Sequence, residues 1–390
     1  MPRRDVAIYM PHSAGFYSRS YGRAGGAERQ MTLLARTLAA RGLHVAHIVY
    51  PVADPVPGLE PQLALVSRKP YTGDRGLAGR VLEAVNVLRA LHAADARVVV
   101  VRTGTPVVGL AAFFCRLRRR RLIFSSAIDA DFLPEKHAGR VIERPLFRLG
   151  VRYADAVVVQ TEDQLAGARR TFPELREVLV IPSFAEEPAD APSASDAEAF
   201  LWIGRLVDYK QPLLLAQLAQ ELPEARFVMV PSLGEHPLSS EAEYLATLRE
   251  EARRLPNLEV RSSMPHARLV GEIANAVAVV NTSYHEGMPN VFLEAWSRGV
   301  PVLTLGFDPD RVVERHQLGI AADFSWERFV DGARELWDGR SDRADLSQRV
   351  RTYIRETHSP EAVGALWQQL VERLAQVRAT ELRSEAAASR

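Results

Sequence analysis

Short apolar runs rich in β-branched residues alternate with segments of helical periodicity along most of the chain. In the first half, a helix is predicted from about Gly26 to Arg41, and strands are predicted at Asp5–Met10, His44–Tyr50, Arg97–Arg102, Leu122–Ser126 and Asp155–Gln160. Such alternation is typical of parallel strands joined by helices that cover both faces of the sheet. We therefore predict an α/β fold.

A polar segment interrupts this alternation between residues 185 and 198. It reads AEEPADAPSASDAE, contains no large apolar side chain, and has the composition of an interdomain linker. The alternation then restarts, with elements predicted at Ala199–Ile203, Pro212–Glu221, Arg226–Val230, Glu241–Arg254, Leu258–Arg261, Val277–Thr282, Pro289–Arg298 and Pro301–Leu305. We predict an N-terminal domain over 1–188, a C-terminal domain over 199–359, and an amphipathic C-terminal helix over about 360–385.

Length and composition agree with two globular domains. The 390 residues include 47% hydrophobic and 25% charged residues, which excludes a small binding module, a fibre or a disordered chain. A single cysteine, Cys115, can form no internal disulfide, which favours a reducing compartment. The longest apolar stretch has ten residues, fewer than the roughly 18 of a membrane span, and no signal-peptide pattern begins the chain. We expect a cytoplasmic protein.

Charge is unevenly distributed although the net charge is only +1. Residues 1–190 carry 27 basic and 19 acidic side chains, a balance of +8, whereas residues 191–390 carry 22 and 29, a balance of −7. The basic half suggests an anionic substrate or surface. Only Lys69, Lys136 and Lys210 among the 49 basic residues are lysines, so each marks a position where arginine was not used.

The loop after the first predicted strand ends in two glycines at a helix start. Ligands of open α/β domains bind at the carboxyl ends of the strands, so two such domains are expected to face each other across a ligand cleft. Backbone N–H groups at Gly25 and Gly26 can approach an anion there. A tight loop without a ligand is the simpler interpretation of two glycines, but Arg19 and Arg23 in the same loop favour binding.

Two cations lie in the first loop of the second domain. Arg205 and Lys210 follow a predicted strand directly and precede the helix opened by Pro212. A guanidinium fork and a point charge at one mouth of the sheet suit a diphosphate. A solvated charged loop is the simpler interpretation, but the retention of Lys210 in an arginine-rich chain favours a binding role.

A helix start and two carboxylates lie close together further along the second domain. Pro289 suits a first helical position, so the N–H groups near Asn290 and Val291 are predicted to point towards an anion beside Glu286. Glu294 lies about a turn and a half further on, and a carboxylate can accept paired hydrogen bonds from vicinal hydroxyls. The simpler interpretations are a surface carboxylate for Glu294 and a dipole-stabilised acid for Glu286.

Together these motifs resemble glycosyltransferase family 4, the retaining nucleotide-sugar glycosyltransferases of group 1 type. The resemblance extends from Gly25 to Val302 and is most specific in Gly204–Leu206 with Lys210, and in the spacing of the two glutamates. It implies a GT-B fold, in which two Rossmann-like, doubly wound domains face each other across a cleft. It also implies that the C-terminal helix crosses back onto the first domain.

The resemblance implies a role for each motif. Arg205 and Lys210 would hold the donor diphosphate, Glu294 would bind the ribose, and Glu286 would contact the donor sugar as a catalytic residue. Further residues implied or predicted to contribute to the donor site are Gly25, Gly26, Gly287, Met288, Pro289, Asn290 and Val291, with Ser263 and Met264 as a wall for the base. Arg19 and Arg23 are candidate acceptor contacts.

One position departs from the family pattern. Many members carry a histidine beside the sugar, after the strand that corresponds to Leu122–Ser126, and none is present here. We predict that Asp129 takes over this contact as a catalytic residue, and the alternative is that the position has lost its role.

Two Asp-x-Asp patterns raise the alternative of a metal site. Asp129 with Asp131, and Asp308 with Asp310, match the pattern with which metal-dependent glycosyltransferases of the other common fold hold a divalent ion on the diphosphate. Such short patterns occur by chance, and a diphosphate neutralised by two cations and helix N–H groups has little need of a metal. We predict no metal and no cofactor, with a UDP or GDP sugar as co-substrate.

A run of arginines closes an apolar helix predicted just before the strand Leu122–Ser126. It comprises Arg116, Arg118, Arg119, Arg120 and Arg121. Cations that satisfy the helix dipole are the simplest interpretation. The alternative is a peripheral anchor to anionic lipid on the inner face of the membrane, at roughly 1 kcal/mol per residue. Nucleic-acid binding is disfavoured because no aromatic residues are interleaved with the run.

These inferences predict a metal-independent, retaining hexosyltransferase of polysaccharide or glycoconjugate biosynthesis. It would move a hexose from a nucleoside diphosphate to a hydroxyl of a glycan, lipid-linked or small-molecule acceptor. Two alternatives stay open: a nucleotide-sugar epimerase or hydrolase on the same fold, and an inactive partner subunit that binds sugar nucleotides, which the missing histidine suggests.

Overall fold

The computed structural model describes residues 3–19, 25–70, 76–102, 104–133, 142–186, 188, 197–232 and 239–388. Arg23 of the glycine loop, and residues 187 and 189–196 of the predicted linker, lie outside this range. The chain divides into two compact units: unit 1 comprises Met1–Phe184 and Pro360–Arg390, and unit 2 comprises Ala185–Ser359.

Unit 1 is built on a parallel sheet of seven strands within the described range. They are β1 (Arg4–Tyr9), β2 (Val45–Val49), β3 (Leu63–Ser67), β4 (Ala96–Arg102), β5 (Arg121–Ser125), β6 (Ala156–Val159) and β7 (Val178–Val180). Their spatial order is β3-β2-β1-β4-β5-β6-β7, so the strand order reverses between β1 and β4. Such a reversal opens a crevice at the carboxyl ends of the two strands, where ligands of doubly wound sheets bind.

Helices cover both faces of this sheet. The first five are α1 (Gly26–Ala40), α2 (Leu77–Ala94), α3 (Val107–Arg118), α4 (Glu143–Arg152) and α5 (Glu162–Thr171). Successive side chains of a strand point to opposite faces, so Ile8 enters one core with Leu34, whereas Tyr9 enters the other with Phe124. Both faces of β1 are therefore buried, which is why its sequence is almost continuously apolar.

Unit 2 has a parallel sheet of six described strands. They are β8 (Ala199–Gly204), β9 (Phe227–Pro231), β10 (Leu258–Val260), β11 (Ala276–Asn281), β12 (Val302–Thr304) and β13 (Gly319–Ala321). The order is β10-β9-β8-β11-β12-β13, so the reversal falls between β8 and β11. The loops that follow these two strands therefore flank the switch-point crevice of unit 2.

The remaining helices complete both units. Those of unit 2 are α6 (Leu213–Glu221), α7 (Ser239–Arg254), α8 (His266–Ala274), α9 (Asn290–Ser297), α10 (Val312–Arg315), α11 (Trp326–Asp338) and α12 (Ala344–Thr357). The last helix, α13 (Pro360–Ala388), belongs to unit 1, where Val363, Trp367 and Leu370 are buried in the core shared with Ile8. No helix within the described range is long and apolar enough to cross a membrane.

The structure confirms the predicted α/β fold with parallel sheets. The hydrophobic pattern missed β3, β7 and β13, which all lie at the edge of a sheet and are mostly only partly buried. Their apolar runs are short, such as residues 63–66 in β3 and Val178–Val180 in β7. The prediction for Pro289 was wrong by one position: its backbone is extended (φ −65°, ψ 122°), so it is the N-cap and α9 begins at Asn290.

Candidate active site

Two loops meet at the switch point of unit 2. The loop after β8 carries Lys210, and the loop after the neighbouring strand β11 begins with Thr282. Thr282 Oγ1 donates a hydrogen bond to the carbonyl of Lys210 at 2.6 Å, and the backbone N–H of Tyr284 donates to the carbonyl of Tyr209 at 3.1 Å. The indole N–H of the buried Trp202 donates to Thr282 Oγ1 at 3.0 Å. These hydrogen bonds connect the backbone of Lys210 to a buried side chain of the core and so fix its position.

The side chains of Lys210 and Glu286 form an ion pair within this crevice. Both are largely buried, with 16% and 12% of the side chain exposed, and Ser283 Oγ donates a second hydrogen bond to the same Glu286 oxygen at 2.9 Å. Burial of opposite charges is tolerated because each compensates the other. The family resemblance implied a diphosphate contact for the lysine and a sugar contact for the glutamate, and the structure places the two side chains in contact with each other.

Arg205 lies on the same loop but has a different partner. Its Nε and Nη2 both donate to Glu241 Oε1, at 3.1 and 2.9 Å, from a side chain that is about half exposed. The Glu241 side chain at the start of α7 is fully buried. The predicted convergence of Arg205 and Lys210 on one diphosphate stays a prediction, since each cation is paired with its own carboxylate.

The second predicted glutamate pairs with a histidine. Glu294 Oε1 lies 2.9 Å from His266 Nε2, and the Glu294 side chain is 13% exposed. His266 begins α8 and follows the predicted base wall, in which Ser263 is exposed and Met264 packs against the unit 2 core. The structure thus places Glu294 next to the segment predicted to hold the base.

The residues that lead into α9 are buried in unit 2. Gly287, Met288 and Pro289 are buried, whereas Asn290 and Val291 in the first helical turn are partly exposed. The N–H groups of a first helical turn have no carbonyl partner within the helix, and the dipole places partial positive charge there. The segment therefore offers an electropositive helix start after the loop of Glu286, as the sequence predicted.

The glycine loop of unit 1 ends at a helix start. Gly25 is the N-cap of α1, Gly26 is its first residue, and a Cβ atom on Gly25 would lie 2.7 Å from a Glu28 carboxylate oxygen. Arg19 is exposed, and its backbone N–H donates to the carbonyl of Asp54 at 3.1 Å. The absence of a side chain at Gly25 keeps the helix start open beside Glu28.

The two aspartates that follow β5 have different surroundings. Asp129 is partly exposed, and its Oδ1 accepts a hydrogen bond from Gln164 Nε2 at 2.9 Å. Asp131 is buried, and its Oδ2 accepts from Ser126 Oγ at 3.1 Å and from the backbone N–H of Ala127 at 3.0 Å. Asp131 therefore shapes the loop that presents Asp129.

The second Asp-x-Asp pattern also has a structural explanation. Asp308 accepts hydrogen bonds from the backbone N–H groups of Val313 and Glu314, at 2.9 and 3.1 Å, and so satisfies the start of α10. Burial raises the pKa of the Asp308 carboxyl. Within the described range, no group of three or more His, Cys, Asp or Glu side chains is placed to hold a metal ion.

Arg102 is a buried cation at the switch point of unit 1 that the sequence reasoning missed. It ends β4, and its Nη1 donates to Ser125 Oγ at 3.1 Å. Burial lowers the pKa of its guanidinium to about 10, and the carboxylates of Asp131 and Glu28 oppose this shift. An arginine at the end of an apolar strand is usually solvated, so the sequence contained no signal of its burial.

Two doubly wound parallel units, with charged residues on the loops of the second switch point, are typical of nucleotide-sugar glycosyltransferases. Comparison with family models agrees: residues 183–353 match the model described as "Glycosyl transferases group 1", and residues 25–183 match "Glycosyl transferase 4-like domain". The chain belongs to the group 1 glycosyltransferases.

Solved structures of the GT-B fold resemble the chain over nearly its whole length. Sucrose-phosphate synthase from Thermosynechococcus elongatus has a TM-score of 0.72 at 18% identity, covering 95% of this chain and 99% of that chain. HepE from Anabaena, in complex with UDP and glucose, has a TM-score of 0.67 at 16% identity, with the same coverages. WaaG, a glycosyltransferase of lipopolysaccharide biosynthesis, has a TM-score of 0.65 at 19% identity, covering 93% and 99%. The fold of this chain is GT-B.

Proposed function

We propose that this glycosyltransferase moves a hexose from a nucleoside diphosphate to a hydroxyl of a glycan, lipid-linked or small-molecule acceptor, with retention and without a metal ion. We assign the donor to unit 2, and we assign to Asp129 and the glycine loop of unit 1 the roles predicted from the sequence. The chain has one cysteine, Cys115, and so forms no internal disulfide; a cytoplasmic location is part of the proposal.

The observation that carries this proposal is the buried pair of Lys210 and Glu286 at the switch point of unit 2. A cation and a carboxylate side by side offer a diphosphate and a sugar hydroxyl their complementary partners in one crevice. UDP is the first donor nucleotide to test, because the similar HepE structure contains UDP and glucose.

In this proposal, contacts to the donor replace the ion pairs within the crevice. The diphosphate takes the Nζ of Lys210 and a guanidinium N–H of Arg205, and it also faces the positive start of α9. Glu286 loses its cation and turns to the donor sugar, while Glu294 accepts hydrogen bonds from the ribose. The cations then carry the charge of the departing diphosphate.

The transfer itself requires one bond to form as another breaks. The bond from the anomeric carbon to the diphosphate oxygen breaks, and the acceptor oxygen attaches to that carbon on the same face. The acceptor's proton passes to the departing phosphate oxygen. Asp129, in place of the family's histidine, orients the sugar or the acceptor at this step.

Nucleotide release with and without acceptors tests the proposal. A thermal-shift screen of UDP, GDP and their sugars identifies the donor first, since a ligand that binds the native state raises its stability. A transferase then releases nucleotide in proportion to acceptor. Equal release of nucleotide and free sugar without an acceptor would instead indicate a hydrolase, formation of an isomeric sugar an epimerase, and binding without turnover an inactive partner subunit.

Chelation tests the absence of a metal. Because Asp131 and Asp308 are engaged with backbone N–H groups, and cations already face the diphosphate, we expect EDTA to leave turnover within about twofold of its starting value. Turnover is measured before and after dialysis against EDTA. Loss of activity that Mg²⁺ or Mn²⁺ restores would contradict metal independence and reassign Asp129.

Replacement of Glu294 tests the ribose contact. A group that holds the ribose binds substrate and transition state alike, so Glu294→Gln is expected to raise the donor KM by roughly 10-fold and to change kcat little. Glu250→Gln on the exposed face of α7 serves as the matched control. A normal donor KM in the Glu294 variant would show that this glutamate does not bind the ribose.

A further inference from the structure

An arginine-lined cavity lies in unit 1, at the amino ends of the strands. The switch point lies at the opposite, carboxyl ends. Its volume is about 450 Å³, and the arginines that line it are Arg116, Arg119, Arg120, Arg121, Arg152 and Arg176. Only two carboxylates, Asp155 and Glu174, share the lining. The arginines therefore exceed the carboxylates three to one, and the cavity has a strongly positive potential.

Satisfaction of helix dipoles does not account for this cavity. Arg116 and Arg152 lie in the last turns of α3 and α4, where a cation is favourable. Arg121 begins β5 and Arg176 precedes β7, so neither belongs to a helix end. Arginines from separate segments of the chain line the same cavity. The arginine run at residues 116–121 therefore explains only part of the lining.

The packing of α3 against α4 holds this arrangement rigidly. A Cβ atom on Gly150 would lie 2.4 Å from the backbone nitrogen of Gly109, so the two helices touch through their backbones. The guanidinium of Arg116 stacks over the ring of Tyr153 at 4.8 Å. The backbone positions that carry Arg116 and Arg152 are thus fixed relative to each other before any ligand arrives, which lowers part of the entropy cost of binding.

The lining carries more cations than carboxylates, although several of its arginines form ion pairs. Arg121 pairs with Asp155 at 2.7 Å, Arg120 pairs with Asp95 at 2.6 Å, and Arg152 lies 4.0 Å from Glu174. Burial lowers the pKa of Arg120 most, and the positive charge of Arg3 lowers it further, against the opposing effect of the Asp95 carboxylate. Cations crowded in this way are stabilised by an anion of more than one charge.

We propose that the arginine cavity binds a phosphate-bearing anion with at least two negative charges. The site is separate from the proposed chemistry: the cavity lies at the amino end of β5 and Asp129 follows its carboxyl end, on the order of 15 Å away along the strand. Two sources share this chemistry, a soluble polyphosphate and the headgroup of an acidic phospholipid. Exposed apolar side chains of Phe113 and Leu117 on α3 would contact the membrane in the second case.

The test compares two triple variants of the full chain. Arg116→Gln, Arg152→Gln and Arg176→Gln remove exposed cations from the cavity. The control, Arg253→Gln, Arg254→Gln and Arg334→Gln, removes three exposed cations from unit 2, with the same change of net charge. Arg205→Ala is a third protein, in which the proposed donor site is weakened.

Binding is measured in two arms. Calorimetry with tripolyphosphate tests a soluble anion, and cosedimentation with phosphatidylglycerol vesicles, against pure phosphatidylcholine, tests a headgroup. In the arm that detects binding, we expect the cavity variant to be weaker by at least about tenfold, the control to change by less than about twofold, and Arg205→Ala to bind normally.

Binding in the first arm assigns a soluble ligand, and binding in the second alone assigns a lipid headgroup. No binding in either arm, or an equal loss in both triple variants, overturns the proposal. Loss confined to Arg205→Ala also overturns it, because the anion would then occupy the donor site. The single variant Arg152→Gln, with a side chain already 61% exposed, provides the same comparison if the triple variant is unstable.

Discussion

Lys210→Ala is expected to weaken binding of the nucleoside diphosphate by roughly 10- to 150-fold, the equivalent of about 1.5–3 kcal/mol for a charge-assisted hydrogen bond. The substitution removes the only charge on its side chain and leaves Glu286 in the crevice with a hydrogen bond from Ser283. A carboxylate without its cation repels the incoming phosphate, so the loss belongs to the upper part of this range. Calorimetry with UDP, or with the nucleotide that the thermal screen identifies, measures it.

The chain offers a matched control in Lys69→Ala, because Lys69 is an exposed lysine of unit 1. Arg205→Ala should also lose affinity, although by less, since its side chain is half exposed and screened by water. Unchanged affinity in both Lys210→Ala and Arg205→Ala would mean that the diphosphate binds elsewhere.

Glu286→Gln is expected to lower kcat on the order of 100-fold while nucleotide binding stays at least as tight. Glutamine has nearly the same shape but no charge. The donor sugar gains positive charge as its bond to the diphosphate breaks, and a carboxylate beside it matters most at that moment. The neutral amide also removes the charge that pairs with Lys210, so the ammonium group has no ion pair to break when the diphosphate binds.

Steady-state kinetics and calorimetry together separate this effect from a structural one. Glu294→Gln is the internal comparison, since its loss should appear in KM and not in kcat. A Glu286→Gln enzyme with full kcat would show that this carboxylate does not act on the reacting sugar. A parallel loss of nucleotide affinity would indicate a collapsed crevice instead.

The positions of the main site residues were predictable because of where they lie along the chain. Arg205 and Lys210 follow one parallel strand and Glu286 follows another, and the carboxyl ends of parallel strands share one edge of a sheet. A strand-loop-helix pattern is local, so the sequence alone indicated which loops lie at the switch point of unit 2.

The partners of those residues were not predictable from local pattern. Glu286 and Lys210 are separated by 76 positions, and their contact exists only because β8 and β11 are neighbours in the sheet. Glu241 and His266 each lie at the start of a helix, where an acid or a histidine is ordinary. Long-range contacts of this kind follow from topology, which a single sequence specifies only through the whole fold.

The path of the chain through the two units sets an order for folding during synthesis. Unit 2 is continuous in sequence, so it can close as soon as residues 185–359 have left the ribosome. Unit 1 has to wait, because Val363, Trp367 and Leu370 complete the core around Ile8 and Leu34. Until α13 arrives, the core that α1 shares with one face of the first sheet is incomplete, so the last helix to be synthesised completes the unit that was begun first.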